Sequence, residues 1–168
     1  MSNDLHDHDV LAWSEQQAAL LRRAARGERV NTIDWAHVAE EIEDLGLSEL
    51  NAVQSYLRQI LVHLLKLHGW PDLGADQHWR AEIVAFQSDA ARRYTRSMRQ
   101  RIDLEKLHGR AVKQIEVTVY GGKTARTPPV PCPVTLDRLL EASCAELEAA
   151  FAAAAAGAEK DETGAAVH

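Results

Sequence analysis

Six side chains have the types that a reactive or binding centre needs: Glu41, Glu49, His63, Lys66, Trp79 and Arg80. Carboxylates can hold a divalent cation or act as general bases. An imidazole can ligate a metal or move a proton, and a lysine or arginine can stabilise an anion. A metal-dependent hydrolase or nuclease-like enzyme built on Glu41, Glu49 and His63 is therefore one reading, with Lys66 or Arg80 on the substrate. It leaves room for a divalent metal, although no cofactor is evident. Spacing argues against part of it. On a continuous helix, Glu41 and His63 would stand about 33 Å apart at 1.5 Å per residue. They could share one ion only if the chain folds back near Gly46 or another subunit intervenes. The sequence has no HExxH or CxxC pattern, no nucleotide-binding glycine loop and no credible Ser-His-Asp spacing.

The stretch from Asp34 to His68 must position most of these residues. Asp34 is a good N-cap, with Ile33 and Val38 at the positions of a hydrophobic staple. At 100° per residue, Val38, Ile42, Leu45, Val53, Tyr56, Leu57, Ile60, Leu64 and Leu67 fall on one broad face. Glu40, Asn51, Gln54 and Arg58 fall opposite. Glu49 and His63 land on the apolar face. A buried polar group there needs a partner, and Arg80 and Trp79 are the nearest candidates in sequence. The alternative is a break at Gly46, with Ser48 capping a second helix and Glu49 exposed in its first turn.

Composition places the chain among ordinary globular proteins. Its 168 residues suit a single helical domain spanning 1–168, with residues 1–8 and 158–168 expected as mobile tails. Two cysteines, Cys132 and Cys144, form no metal or redox pattern. The acidic N-terminus does not read as a signal peptide, and no apolar run approaches a membrane span. A cytoplasmic location is the default expectation. Charge is segregated: residues 1–50 hold 4 basic and 11 acidic residues, 51–134 hold 13 and 7, and 135–168 hold 2 and 7. Such a pattern more often reflects intramolecular matching than nucleic-acid binding.

The remaining elements follow from caps and periodicity. Asp9 can cap a helix from Val10 to about Arg26, ended by Gly27. The motif His6-Asp7-His8-Asp9 could gather a loose metal, but a solvated tail is expected. Asp76 is expected to cap a helix with the stripe Trp79, Ile83, Phe86, Ala90 and Tyr94 and the basic run Arg92 to Arg101. That run offers a second alternative function, binding along a phosphate backbone. Asp103 restarts a helix through Gln114. The alternation Ile115 to Tyr120 with Gly121-Gly122 predicts a β-hairpin near 115–127. Thr135 caps a last helix, which Gly157 ends.

Several segments stand out together: Leu11-Ala12-Trp13 with Gln16 to Arg22, Ala39-Glu40-Glu41-Ile42-Glu43-Asp44-Leu45-Gly46 with Ser48-Glu49, Leu61 to Lys66, and Trp79-Arg80 with Ile83. In these the chain resembles a bacterial family catalogued as domain of unknown function number 29. A weaker echo is Glu162-Thr163-Gly164. The resemblance covers roughly residues 10–100 and implies an all-helical fold with no established activity. The segment 103–134 departs from the pattern and looks like an insertion.

The expected fold is all-α, a helical bundle of five or six helices with a small hairpin insertion near 115–127. The expected function is a protein-interaction or self-association module, with a protein partner or a homo-oligomer as its company. Neither nucleic acid nor a membrane is expected as a partner.

Overall fold

Side-chain caps set where several helices begin. The Asp9 carboxylate accepts from the Ala12 amide at 3.0 Å, and Asp103 from the Lys106 amide at 2.9 Å. Thr135 accepts from the Arg138 amide at 3.3 Å. Each satisfies an amide that the first turn leaves without an intrahelical partner. The computed structural model describes the backbone of residues 2–71 and 74–165 and the side chains of 5–71 and 74–157. Its elements in order are α1 (Ser2–His8), α2 (Val10–Ala25), α3 (Trp35–Gly69), α4 (Asp76–Arg93), a 3-10 helix (Arg96–Arg101), α5 (Leu104–Glu116), β1 (Val119–Tyr120), β2 (Lys123–Thr124), α6 (Leu136–Glu141) and α7 (Cys144–Ala165). The fold is all-α with one two-stranded antiparallel hairpin. No described helix is long and apolar enough to cross a membrane.

The chain divides into two compact units, Met1–Ser48 and Glu49–His168. In the first, α1, α2 and the start of α3 enclose Trp13 and Gln17, both buried. Gly27, at φ +84°, takes the left-handed conformation that ends α2. In the second, the C-terminal part of α3 is the central element. Val53, Leu57, Ile60, Leu61, Leu64 and Leu65 are almost fully buried, and Ile83, Ala111, Ile115, Leu139, Leu147 and Phe151 pack into the same core. The apolar run 60–65 is therefore buried all round, as expected of a helix walled in by others.

Several expectations need correction. Residues 2–8 were expected to be a loose tail but form α1. Gly46 does not break α3, which is one helix of 35 residues; Gly inside a helix costs only about 1 kcal/mol. The apolar face of α3 is buried from Leu50 onward, yet Ile42 and Leu45 are exposed. The basic run Arg92 to Arg101 is not one helix. It stops at Arg93, passes through extended Tyr94 and Thr95, and resumes as the 3-10 turn. Ile102, immediately after the basic turn, is part of the core, and Tyr94 and Met98 pack against it.

Strand propensity at 115–117 loses to the helix. Ile115 stands four residues after Ala111 and eight after Leu107, and all three are buried on one face of α5. The hairpin shrinks to Val119–Thr124 around Gly121 and Gly122, both at positive φ. The last helix is two. Ala142 is extended, and Ser143 starts a capping box in which its amide and its hydroxyl donate to Glu146 at 2.9 and 2.6 Å. Then α7 continues past Gly157 to Ala165, while residues 166–168 of the expected tail lie outside the described residues. These splits, with α1, raise the helix total among described residues above five or six.

Candidate functional site

In the second unit, His63 on α3 faces α4. Its ring is buried, and both nitrogens meet oxygen acceptors. Nδ1 donates to the Gln59 carbonyl one turn back at 2.7 Å, and Nε2 lies 2.5 Å from Glu82 Oε2. The Glu82 carboxylate remains about one-third exposed and also stands 3.6 Å from His78 Nε2. Phe86 packs against the imidazole with ring centres 5.7 Å apart. The arrangement orients the ring and joins it to solvent through a carboxylate, which suits proton movement.

One turn along α3, the Lys66 ammonium sits 5.8 Å from the Trp79 ring centre and 6.0 Å from that of Tyr120. Tyr120 stands edge-on to Trp70 at 4.9 Å, and the Trp70 indole donates to the Lys123 carbonyl at 2.9 Å. The hairpin thus brings an aromatic wall to the lysine, a geometry that attracts a cation to the ring faces.

Arg80 turns elsewhere. It forks onto Glu148 of α7 at 2.8 and 2.9 Å and reaches Asp76 at 2.6 Å. The guanidinium holds both carboxyls below their ordinary range, and its own pKa is driven up by these hydrogen bonds. Glu49 accepts from Arg93 through both oxygens, at 2.9 and 3.0 Å, and is about half exposed. Glu41, in the first unit, pairs with His6 at 2.8 Å. Of the six expected site residues, His63, Lys66 and Trp79 thus share the facing turns of α3 and α4. Arg80 and Glu49 are tied into separate ion pairs, and Glu41 belongs to another cluster. Neither Arg80 nor Trp79 is the partner of Glu49 or His63; those roles fall to Arg93 and Glu82.

The sequence did carry a signal for Glu82. It lies three residues after Trp79 and four before Phe86, at the border of that helix's apolar stripe. Tyr120 was visible only as a strand residue, and its place against Lys66 depends on the fold.

The first unit holds a compact aromatic and acidic cluster. The rings of His6 and His37 stack at 4.1 Å, and Trp13 meets both edge-on. His37 Nδ1 lies 2.7 Å from Asp34, whose amide donates to Gln17 at 2.9 Å. The Glu41 carboxylate raises the pKa of His6, while the bond from His37 lowers that of Asp34. Among the described residues no group of three or more His, Cys, Asp or Glu is placed to hold a metal ion.

The same unit exposes an apolar strip on α3. Trp35, Ile42 and Leu45 are 63%, 66% and 66% exposed, and with Val38 they fall within about 80° around the helix axis. The acidic Glu40, Glu43 and Asp44 lie outside this strip and are exposed.

Comparison with known proteins locates the chain by similarity. The family model for the domain of unknown function DUF29 matches residues 5–145, a range that runs through the segment 103–134. A crystal structure of an alpha-helical protein of unknown function from Rhodospirillum rubrum is similar, with 30% sequence identity and a TM-score of 0.57. The match covers 88% of this chain and 95% of that one. No curated protein matches the chain.

Proposed function

The chain belongs to the DUF29 family, and from that premise we propose that it is a protein-interaction module whose docking face is the apolar strip Trp35, Val38, Ile42 and Leu45 of α3. The observation that carries this reading is a change of environment along a single helical face. The face is core from Leu50 onward and open at Ile42 and Leu45. Contiguous exposed apolar surface of this kind supports an interaction role. The strip has the spacing of a helix–helix seam, with apolar residues alternating three and four apart.

The rival readings draw less support. A hydrolase centre would use Glu41, Glu49 and His63 together, and each is engaged by a different partner: His6, Arg93 and Glu82. Binding to nucleic acid would use the basic run, where Arg92, Arg93 and Arg99 are paired with Asp89, Glu49 and Asp137.

A photo-crosslinking residue placed at Leu45, in cells producing the protein, tests the reading. It should yield a discrete adduct. The same probe at Glu40, on the opposite face, should yield none, and Ile42→Glu should abolish the adduct from position 45. An adduct of twice the chain mass identifies a second copy; any other discrete mass identifies a different partner. No adduct from position 45, with a monomer at every concentration in sedimentation equilibrium, would overturn it.

A further inference from the structure

The second unit contains a cavity of about 300 Å³, walled by the last turns of α3, Pro71, Arg126 and α7. Its inner surface is Leu64, Leu67 and Phe151, all buried core residues. The α7 side contributes Ala149 and Ala152, whose small side chains leave the space open. The volume is at the lower end of those that hold small molecules.

Arg126 stands at this cavity with a fixed backbone and an unused side chain. Its amide donates to the Gly69 carbonyl at 3.1 Å, and the next residue's carbonyl accepts from His68 Nε2 at 3.0 Å. Gly69 makes the approach close: a Cβ there would lie 2.9 Å from the Ala125 Cβ. The segment is thus stapled to the end of α3 on both sides of Arg126. The Arg126 guanidinium has no hydrogen-bond or ion-pair partner among the described residues. The carboxylate that shares the cavity wall, Glu148, is already taken by the Arg80 fork and by the Cys144 thiol at 3.3 Å. A charged fork at the rim of an apolar hollow is complementary to a carboxylate carrying an apolar chain.

We propose that this cavity binds a small aliphatic carboxylate, its chain against Leu64, Leu67 and Phe151 and its head group on Arg126. The inference is independent of the interaction face, which belongs to the other unit.

Octanoate is the probe, titrated into the whole protein and followed by calorimetry and by amide shifts. One molecule per chain should bind saturably, with shifts centred on residues 64–69, 126 and 148–152. Octanamide and octylamine should bind at least tenfold more weakly, since a hydrogen bond to a charged group is worth about that factor or more. Arg126→Gln should weaken octanoate by a similar factor, with Arg126→Lys in between. Ala152→Leu, which fills the hollow on an exposed helix position, should abolish binding while the circular dichroism spectrum stays unchanged. Unsaturable uptake, equal affinity for octanamide, or wild-type affinity in Arg126→Gln or Ala152→Leu would each overturn the proposal.

Discussion

His63 and Glu82 join α3 to α4 through a contact of 2.5 Å, and the other nitrogen of the same ring is held by the Gln59 carbonyl. The imidazole therefore has an oxygen on each side and no freedom to turn. Removing Glu82 leaves a buried ring nitrogen without its partner. Glu82→Ala should cost about 1–3 kcal/mol, the usual penalty for an orphaned buried donor. The cost should largely vanish in a His63→Phe background. Urea melts of both single variants and the double variant give the coupling, and a coupling near zero would show that the pair contributes nothing.

Leu64 and Ile42 lie on the same face of α3 with opposite environments. Leu64→Ala should cost about 2–5 kcal/mol through lost burial and a residual cavity. Ile42→Ala should stay within about 0.5 kcal/mol in the isolated chain, as surface substitutions do. Comparable losses at both positions would place Ile42 in a core.

Arg80 makes stability depend on acid. It lowers the pKa of Glu148 and Asp76 in the folded chain. A depressed carboxyl pKa stabilises the fold above the unfolded value, about 4, and this stabilisation is lost as pH falls through the folded value. Denaturant midpoints should therefore drop from about pH 5 downward, and less steeply in Arg80→Met. Parallel profiles for the two proteins would remove Arg80 from the acid response.

His108 acts in the opposite sense to a paired histidine. It is buried with Nε2 unpartnered, and desolvation lowers its pKa. The unfolded chain takes the proton first, so stability declines as pH falls below about 6.5 until the folded ring also titrates. His108→Leu should remove that part of the decline between pH 7 and 5. An unchanged slope counts against it.

Both thiols should be slow. Burial pushes Cys132 and Cys144 up to about 11, with the Glu148 carboxylate assisting at Cys144. Iodoacetamide at about pH 8 should modify the folded protein far more slowly than the urea-unfolded chain, because the thiolate is the reactive form. Equal rates in the two states would contradict the partly buried placement of the two thiols.

How much of this was legible beforehand depends on the kind of information each feature needs. Helix starts were legible where a single residue supplies the cap, as at Asp9, Asp103 and Thr135; Asp76, expected as a cap, is instead the first residue of α4 and its carboxylate goes to Arg80. The break before α7 was missed, although Ser143 and Glu146 form a three-apart capping pair, because the leucines before it and the alanine run after it read as one long helix. The hairpin was overextended because Ile115 to Tyr120 alternates like a strand. The helical repeat Leu107, Ala111 and Ile115 competes for the same residues and buries more. The polar contacts of α3 were foreseen at His63, whose place on the apolar face demanded a partner. The partner's identity was not, since Glu82, Arg93 and Glu148 are chosen by how helices meet. The exposure of Ile42 and Leu45 could not be read from their periodicity, which is the same whether a face is covered or open.

The continuity of α3 through Gly46 has a kinetic consequence. Starting a helix is the unfavourable step, while extending one adds a hydrogen bond for each residue fixed. The buried C-terminal part supplies a permanent nucleus, so the open segment around Ile42 and Leu45 can unwind and rewind without starting afresh. Its amides should exchange with solvent through brief local openings, while those near Leu61 wait for the whole unit to open. A strip built this way can re-form against whatever covers it, at little delay.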